Sequence, residues 1–187
     1  MTGHAFLAVD LSIDERHALS AALRDVGPGW PVPGKRQPTE NWHITLRFLG
    51  ECSDVDADSV LRELDETLDA EPGRVACSGI GAFPRPSKAG VVFVRVDDAD
   101  GLLARLAAQG EAAARDVGFE PEERPFVGHL TLSRLRPPQD LRRLIDAFGD
   151  FRVPIEVSAI TLFRTRRSRS GLWYEPIDTI EIASPGL

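Results

Sequence analysis

Lysine is almost missing from this 187-residue chain: Lys35 and Lys88 are the only two, so arginine carries nearly all the positive charge. Cysteine is equally scarce. Cys52 and Cys77 fall in no CxxC or zinc-type spacing, which excludes a disulfide-framed domain and points to free thiols in a reducing compartment. No apolar run reaches membrane-spanning length. The opening Met1-Thr2-Gly3-His4 lacks a basic region, and residues 5–9 are too short for a signal core, so a cytoplasmic protein without a membrane partner is expected. The net charge of −7 argues against broad wrapping of nucleic acid but allows a substrate gripped at one phosphate. HExxH and GxSxG are both absent, so no metal, no cofactor and no serine or cysteine nucleophile is expected.

What is present centres on histidine. The chain has four, His4, His17, His43 and His129, and two of them share one local pattern. Trp42-His43-Ile44-Thr45-Leu46 and Gly128-His129-Leu130-Thr131-Leu132 each set a histidine two residues before a threonine in an apolar run that reads as a buried strand. Side chains in a strand alternate between faces, so His43 emerges with Thr45, and His129 with Thr131.

Around these strands the chain alternates between strand and helix patterns. Residues 5–11 read as a strand, after which Ser12 or Asp14 caps a helix to about 26. Residues 27–38, with four prolines and three glycines, read as a loop. The first His-x-Thr strand covers 42–49 and is stopped by Gly50. Residues 54–69 carry Val60, Leu61, Leu64 and Leu68 at helical spacing. Strands are expected over 74–83 and 91–96, a helix over 99–117, and then the second His-x-Thr strand, ended by Pro137-Pro138. A short helix over 140–148 and a hairpin of 155–164 with 172–182 complete the chain, joined by a basic turn over 164–171.

His43 and His129 stand 86 residues apart, and the same offset maps the first strand, first helix and second helix onto their later counterparts. The expected architecture is α+β and bilobal: two pseudo-twofold-related lobes of antiparallel sheet, outer helices and a central cleft. The chain is read as a single domain, 1–187, with lobes of roughly 1–83 and 90–170 and the strand 172–182 completing the sheet. A monomer is the default for such a cleft.

Two imidazoles on opposite sides of a phosphorus suit in-line displacement, one taking a proton from the nucleophile and one protonating the leaving oxygen. A threonine hydroxyl beside each can donate to a non-bridging oxygen. This scheme needs no metal, and it suits a reactive cyclic phosphodiester.

The stretch from Asn41 to Glu51, NWHITLRFLGE, resembles the first signature of the 2H phosphoesterases in their LigT/ThpR branch, and Arg124 to Arg134, RPFVGHLTLSR, the second. Phe6-Leu7-Ala8-Val9-Asp10-Leu11 and Ile160-Thr161-Leu162-Phe163 are similar to the family's opening and late strands, so the likeness spans essentially the whole chain. It implies an RNA 2′,3′-cyclic phosphodiesterase that leaves a 2′-phosphate. Its partners would be RNA ends or small nucleotides bearing a cyclic phosphate, with His43 and His129 as the acid/base pair and Thr45 and Thr131 holding the phosphate. The resemblance further implies base stacking at Phe48 and phosphate binding at Arg134. Strict alternation points both away from the histidine face, so a bulge would have to return them; for Phe48 a core aromatic is an equal reading. One departure is Gly128, where the family usually has proline, which loosens the backbone before His129. Two other readings stay open: a binding module without turnover, and an enzyme for 2′-5′ linkages or small cyclic nucleotides. The basic stretch 164–169 reads either as a solvated hairpin tip or as a rim guiding RNA, and Arg85 and Lys88 are weaker versions of the same.

Overall fold

The opening segment forms β1 (Thr2–Asp10), and the computed structural model, which describes residues 2–27, 30–168 and 171–183, places it inside a four-stranded antiparallel sheet. Ser12 then starts α1 (Ile13–Val26). Its hydroxyl accepts from the Glu15 amide while the Glu15 carboxylate accepts from the Ser12 amide. Such a reciprocal cap is worth about 1 kcal/mol. The Pro/Gly-rich segment contains only a two-residue strand, β2 (Lys35–Arg36), and a 3₁₀ turn (Thr39–Asn41) that delivers the chain into β3 (His43–Ser53). Ser53 caps α2 (Asp54–Thr67), and β4 (Gly73–Phe83) turns back into β5 (Ala89–Asp97). The second half continues with α3 (Leu102–Asp116), β6 (His129–Gln139), α4 (Arg142–Asp146), β7 (Val153–Val157), β8 (Ala159–Ser168) and β9 (Gly171–Glu181).

The strand expected over 155–164 is two, β7 and β8, in different sheets, and two further strand ends differ from the sequence reading. Gly50 does not stop β3, because its positive φ of 74° lies where the pairing with β1 shifts register, and the strand runs on to Ser53. Nor do Pro137 and Pro138 end β6. They lie where β6 shifts register against β5, so the ladder asks no amide of them, and pairing resumes at Gln139 with Ala89.

The strands form two antiparallel sheets, β3-β1-β8-β9 and β2-β6-β5-β4-β7. The offset of 86 carries β3 onto β6 residue for residue, and β4 onto β8. The lobes are nevertheless not 1–83 and 90–170. β4 leaves the first half to pair with β5, and β8 leaves the second half to pair with β1. The five-residue link between β4 and β5 makes that pairing local, and the repeat then places β8 in the equivalent slot. Each sheet is thus completed by the last strand of the other repeat.

One face of each sheet builds the core. Leu7, Val9, Ile44 and Leu46 of the first sheet and Val92, Val94, Leu130 and Leu132 of the second join Leu19 and Leu23 of α1, Leu61 and Leu64 of α2, and Leu103 and Leu106 of α3 in one buried cluster. A separate small cluster of Phe6, Ala8 and Phe163, with Tyr174 against it, lies on the other face of the first sheet. That face is a wall of the cleft.

Candidate active site

Alternation along β3 and β6 turns Ile44, Leu46, Leu130 and Leu132 into the core and leaves His43, Thr45, His129 and Thr131 half-buried on the opposite face. These four side chains, one His-x-Thr pair from each sheet, line a single cleft of about 320 Å3. Their local geometry repeats as well. His43 Nδ1 donates to the carbonyl of Asn41 at 2.8 Å, and His129 Nδ1 donates to the carbonyl of Val127 at 2.7 Å. A carbonyl only accepts, so both neutral rings carry their proton on Nδ1 and keep a lone pair on Nε2. At His43 that Nε2 lies 3.0 Å from Thr45 Oγ1, whose hydroxyl donates to it. Gly128 does not disturb the arrangement, since His129 makes the same bond to its second upstream carbonyl as His43 does.

Both imidazoles are less basic than free histidine. Burial pushes His43 down to about 4, opposed by the Asn41 carbonyl and reinforced by His129, Arg16 and Arg134. Burial also lowers His129, with Arg134 adding to the effect and the Val127 carbonyl opposing it. Aromatic rings supply the dry surroundings. Phe6 and Tyr174 approach His43 with centroids at 4.7 and 5.0 Å, and Phe83 and Phe93 approach His129 at 5.1 and 5.3 Å.

Phe48 and Arg134 also line this cleft. The bulge that strict alternation requires is present in both strands. Ala8 pairs Thr45 but Leu7 pairs Arg47, so Leu46 is the extra residue; likewise Phe93 pairs Thr131 but Val92 pairs Ser133, so Leu132 is extra. Two consecutive buried residues mark each bulge, Leu46-Arg47 and Leu132-Ser133, and the next side chain swings back to the histidine face. Phe48 is 47% exposed, which removes it from the core. It continues a row of rings out of the cleft wall, parallel to Phe6 at 6.3 Å and to His4 at 5.9 Å.

The basic stretch divides. Arg164 is buried, donating to the carbonyls of Gly3, Cys52 and Ser53 and pairing with Asp54 at 2.8 Å, so it ties β1 and the start of α2 to β8. Arg166 pairs with Glu175. Thr165 and Arg167, on the alternate face, line the cleft. Arg169 lies outside the described residues, and neither Arg85 nor Lys88 is among the cleft residues.

Thr165 and Arg167 belong to the basic stretch that the sequence offered as a rim, whereas His4, Phe6, Gln37, Leu172 and Tyr174 were not expected in the cleft. Asn41 was visible only as part of the first signature. It is buried, with Nδ2 donating to the Leu172 carbonyl at 3.0 Å and Oδ1 accepting from the Tyr174 amide at 3.3 Å. That clamps the carbonyl holding His43 against β9. Tyr174, the only tyrosine of the chain, also accepts from Gln37 Nε2 at 2.8 Å. Among the described residues, no three His, Cys, Asp or Glu side chains are grouped as metal ligands, and no helix is long and apolar enough to cross a membrane.

A duplicated two-sheet fold with one inward His-x-Thr strand on each wall fits the 2H phosphoesterase architecture expected from the sequence. The family model of the 2′-5′ RNA ligase superfamily matches residues 34–169, and the chain belongs to that superfamily. A protein of Aeropyrum pernix named RNA 2′,3′-cyclic phosphodiesterase is 37% identical over 89% of this chain and 96% of its own length. A protein of the same name from Methanothermobacter thermautotrophicus is 27% identical over 97% of this chain and 100% of its own. Among solved structures, one from Thermus thermophilus superposes with a TM-score of 0.78 at 24% identity, covering 98% of this chain and 100% of that one. Escherichia coli LigT, crystallised with 3′-AMP, gives 0.74 at 21% identity over the same shares. These two show the fold.

Proposed function

We propose that this protein hydrolyses RNA 2′,3′-cyclic phosphate ends to 2′-phosphates, with no metal and with His43 and His129 as the acid/base pair. The observation that carries the reading is the matched pair of carbonyl-locked imidazoles, each presenting Nε2 from one wall of a shared cleft. The activity in the names of the relatives fits the same chemistry.

The two walls differ at the position that follows each bulge. Phe48 stands on the His43 wall, and Arg134, 86 residues on, on the His129 wall. A terminal base stacked on Phe48 sets its ribose beside His43, so the 3′-oxygen leaves toward His43 and water enters from the side of His129. His129 Nε2 takes the proton of water as its oxygen bonds to phosphorus. The bond from phosphorus to O3′ breaks, and Nε2–H of His43 protonates O3′, leaving the phosphate on the 2′-oxygen. The bound phosphate anion raises the proton affinity of His43, offsetting its burial and the positive charge around it. A proton on Nε2 also reverses the bond to Thr45 and frees that hydroxyl to donate to a phosphate oxygen. Thr131 and Arg134 hold the other non-bridging oxygen.

On this reading the protein acts as a monomer in the cytoplasm. Both walls come from one chain, and Cys52 and Cys77 are buried free thiols. The test is to incubate the protein in EDTA with an oligoribonucleotide ending in a 2′,3′-cyclic phosphate and identify the product end. A 2′-phosphate is expected. Its absence at every pH from about 5 to 9 would sink the reading.

A further inference from the structure

We infer that Lys35, with Arg167 on the facing wall, holds a second phosphate: the one linking the terminal nucleotide to the nucleotide before it. The inference rests on the phosphodiesterase reading and names the part of the substrate beyond the reacting end. It begins from charge. The chain has 29 acidic residues and a net charge of −7, yet among the described residues no aspartate or glutamate lines the cleft, while Arg134 and Arg167 do.

Lys35 adds a third cation. It pairs directly opposite Arg134 where β2 joins β6, and residues opposed in an antiparallel pair project from the same face. Like charges so placed destabilise a strand pair. Here the repulsion sits beside an anion-binding site, in a chain with one other lysine. Many arginines of this protein are neutralised by carboxylates, including Arg16, Arg47, Arg164 and Arg166. Among the described residues, Lys35, Arg134 and Arg167 have no such partner.

The reacting phosphate accounts for Thr45, Thr131 and Arg134. Arg167 and its strand-face neighbour Thr165 are left over on the first sheet, as is Lys35 on the second. Lys35 is not itself among the cleft residues, but it stands opposite the lining residue Arg134, and Gln37 two positions on lines the cleft and is bonded to Tyr174, which fixes this segment against β9 beside the rim. An anion with two further oxygens to satisfy is what such a rim takes, and in an RNA chain the next such group is the internucleotide phosphate.

Two probes separate the subsite from the reaction. The first is affinity for a ribodinucleotide ending in a 2′-phosphate against a nucleoside 2′-phosphate, measured calorimetrically without turnover. The wild type should prefer the dinucleotide. Lys35→Ala and Arg167→Ala should each lower that preference by about tenfold, as loss of a charge-assisted contact does. The second is kcat/KM on the matching cyclic-phosphate substrates. The ratio of dinucleotide to mononucleotide should fall likewise, and the salt dependence on the dinucleotide should flatten by about 0.7 per lost contact. Both residues are exposed, and unchanged melting temperatures would show folded variants. Equal wild-type affinity for the two product probes, or variants that leave the ratio unmoved, would overturn the subsite. A dinucleotide preference lost in both variants, without hydrolysis of either cyclic substrate, would keep the subsite and overturn the reaction.

Discussion

Phe48 and Arg134 occupy the same place in the two repeats, each one turn of the pleat beyond a bulge and each returned by it to the cleft. The duplication thus produces two equivalent walls and then marks them differently, one with a ring and one with a charge. If Phe48 serves the base, Phe48→Ala should raise KM for an oligonucleotide end by about tenfold, the value of one stacked base, with a smaller change in kcat. Phe48→Tyr should restore it. Steady-state kinetics on the three proteins decide the point, and an unchanged KM in the alanine variant would return Phe48 to a packing role.

Removing either imidazole should cost about 10²–10⁴ in kcat, and removing both should cost far less than the product of the single losses, because the two act on one transition state. Both histidines face the cleft rather than the core, so His43→Ala and His129→Ala should melt close to the wild type. Calorimetry on the variants separates lost chemistry from lost structure.

The pH dependence of activity follows from the direction of both shifts. In the free enzyme both imidazoles lose their proton below the ordinary 6.5, so the productive pair of one charged and one neutral ring grows scarcer as pH rises. The alkaline limb of kcat/KM should fall below pH 6.5. The limb of kcat should lie higher, because a bound phosphate favours the charged ring. Profiles of the two parameters on one substrate test this, and coincident limbs at or above about pH 7 would contradict it.

The same shift bears on stability. His43 titrates at about 4 in the fold and near 6.5 when unfolded, so between those values the unfolded chain binds more protons. Its contribution is full above about pH 6.5, fades as pH falls through the window and is gone below about 4, a loss on the order of 3 kcal/mol. Urea midpoints for the wild type and His43→Gln should therefore converge on acidification, the wild type losing more.

Arg164 and Arg167 should behave as opposites despite their closeness in sequence. Arg164→Ala takes the donor from three carbonyls and should destabilise the fold by about 1–3 kcal/mol. Chemical denaturation reads this directly, and KM of the surviving folded protein should change little.

That contrast shows what the sequence carries and what it withholds. The histidine pattern, the offset of 86 and the serine cap of α1 are local regularities, so they are visible in one dimension. The stretch 164–169 reads as a turn because its arginines look soluble, whereas pairing with β1 and β9 makes most of it a strand that buries Arg164. His4 and Phe6 share a face of β1 and could have been taken from alternation, as partners of whatever lay opposite. Tyr174, Leu172 and Gln37 reach the cleft only through pairing and loop closure across more than a hundred residues. The need for a bulge before Phe48 and Arg134 was legible, since alternation alone puts them on the wrong face; its position was not, because register is settled between strands.

The exchange of β4 and β8 bears on how such a site could have arisen. A single copy of the repeat ends in a strand that its own sheet does not use, so alone it would leave one sheet open and one strand unmatched. Two copies trading those strands would satisfy both at once, forming a domain-swapped dimer with its one cleft on the twofold axis. Fusion of the copies makes that dimer permanent within one chain, and it frees each wall to diverge without losing its mate.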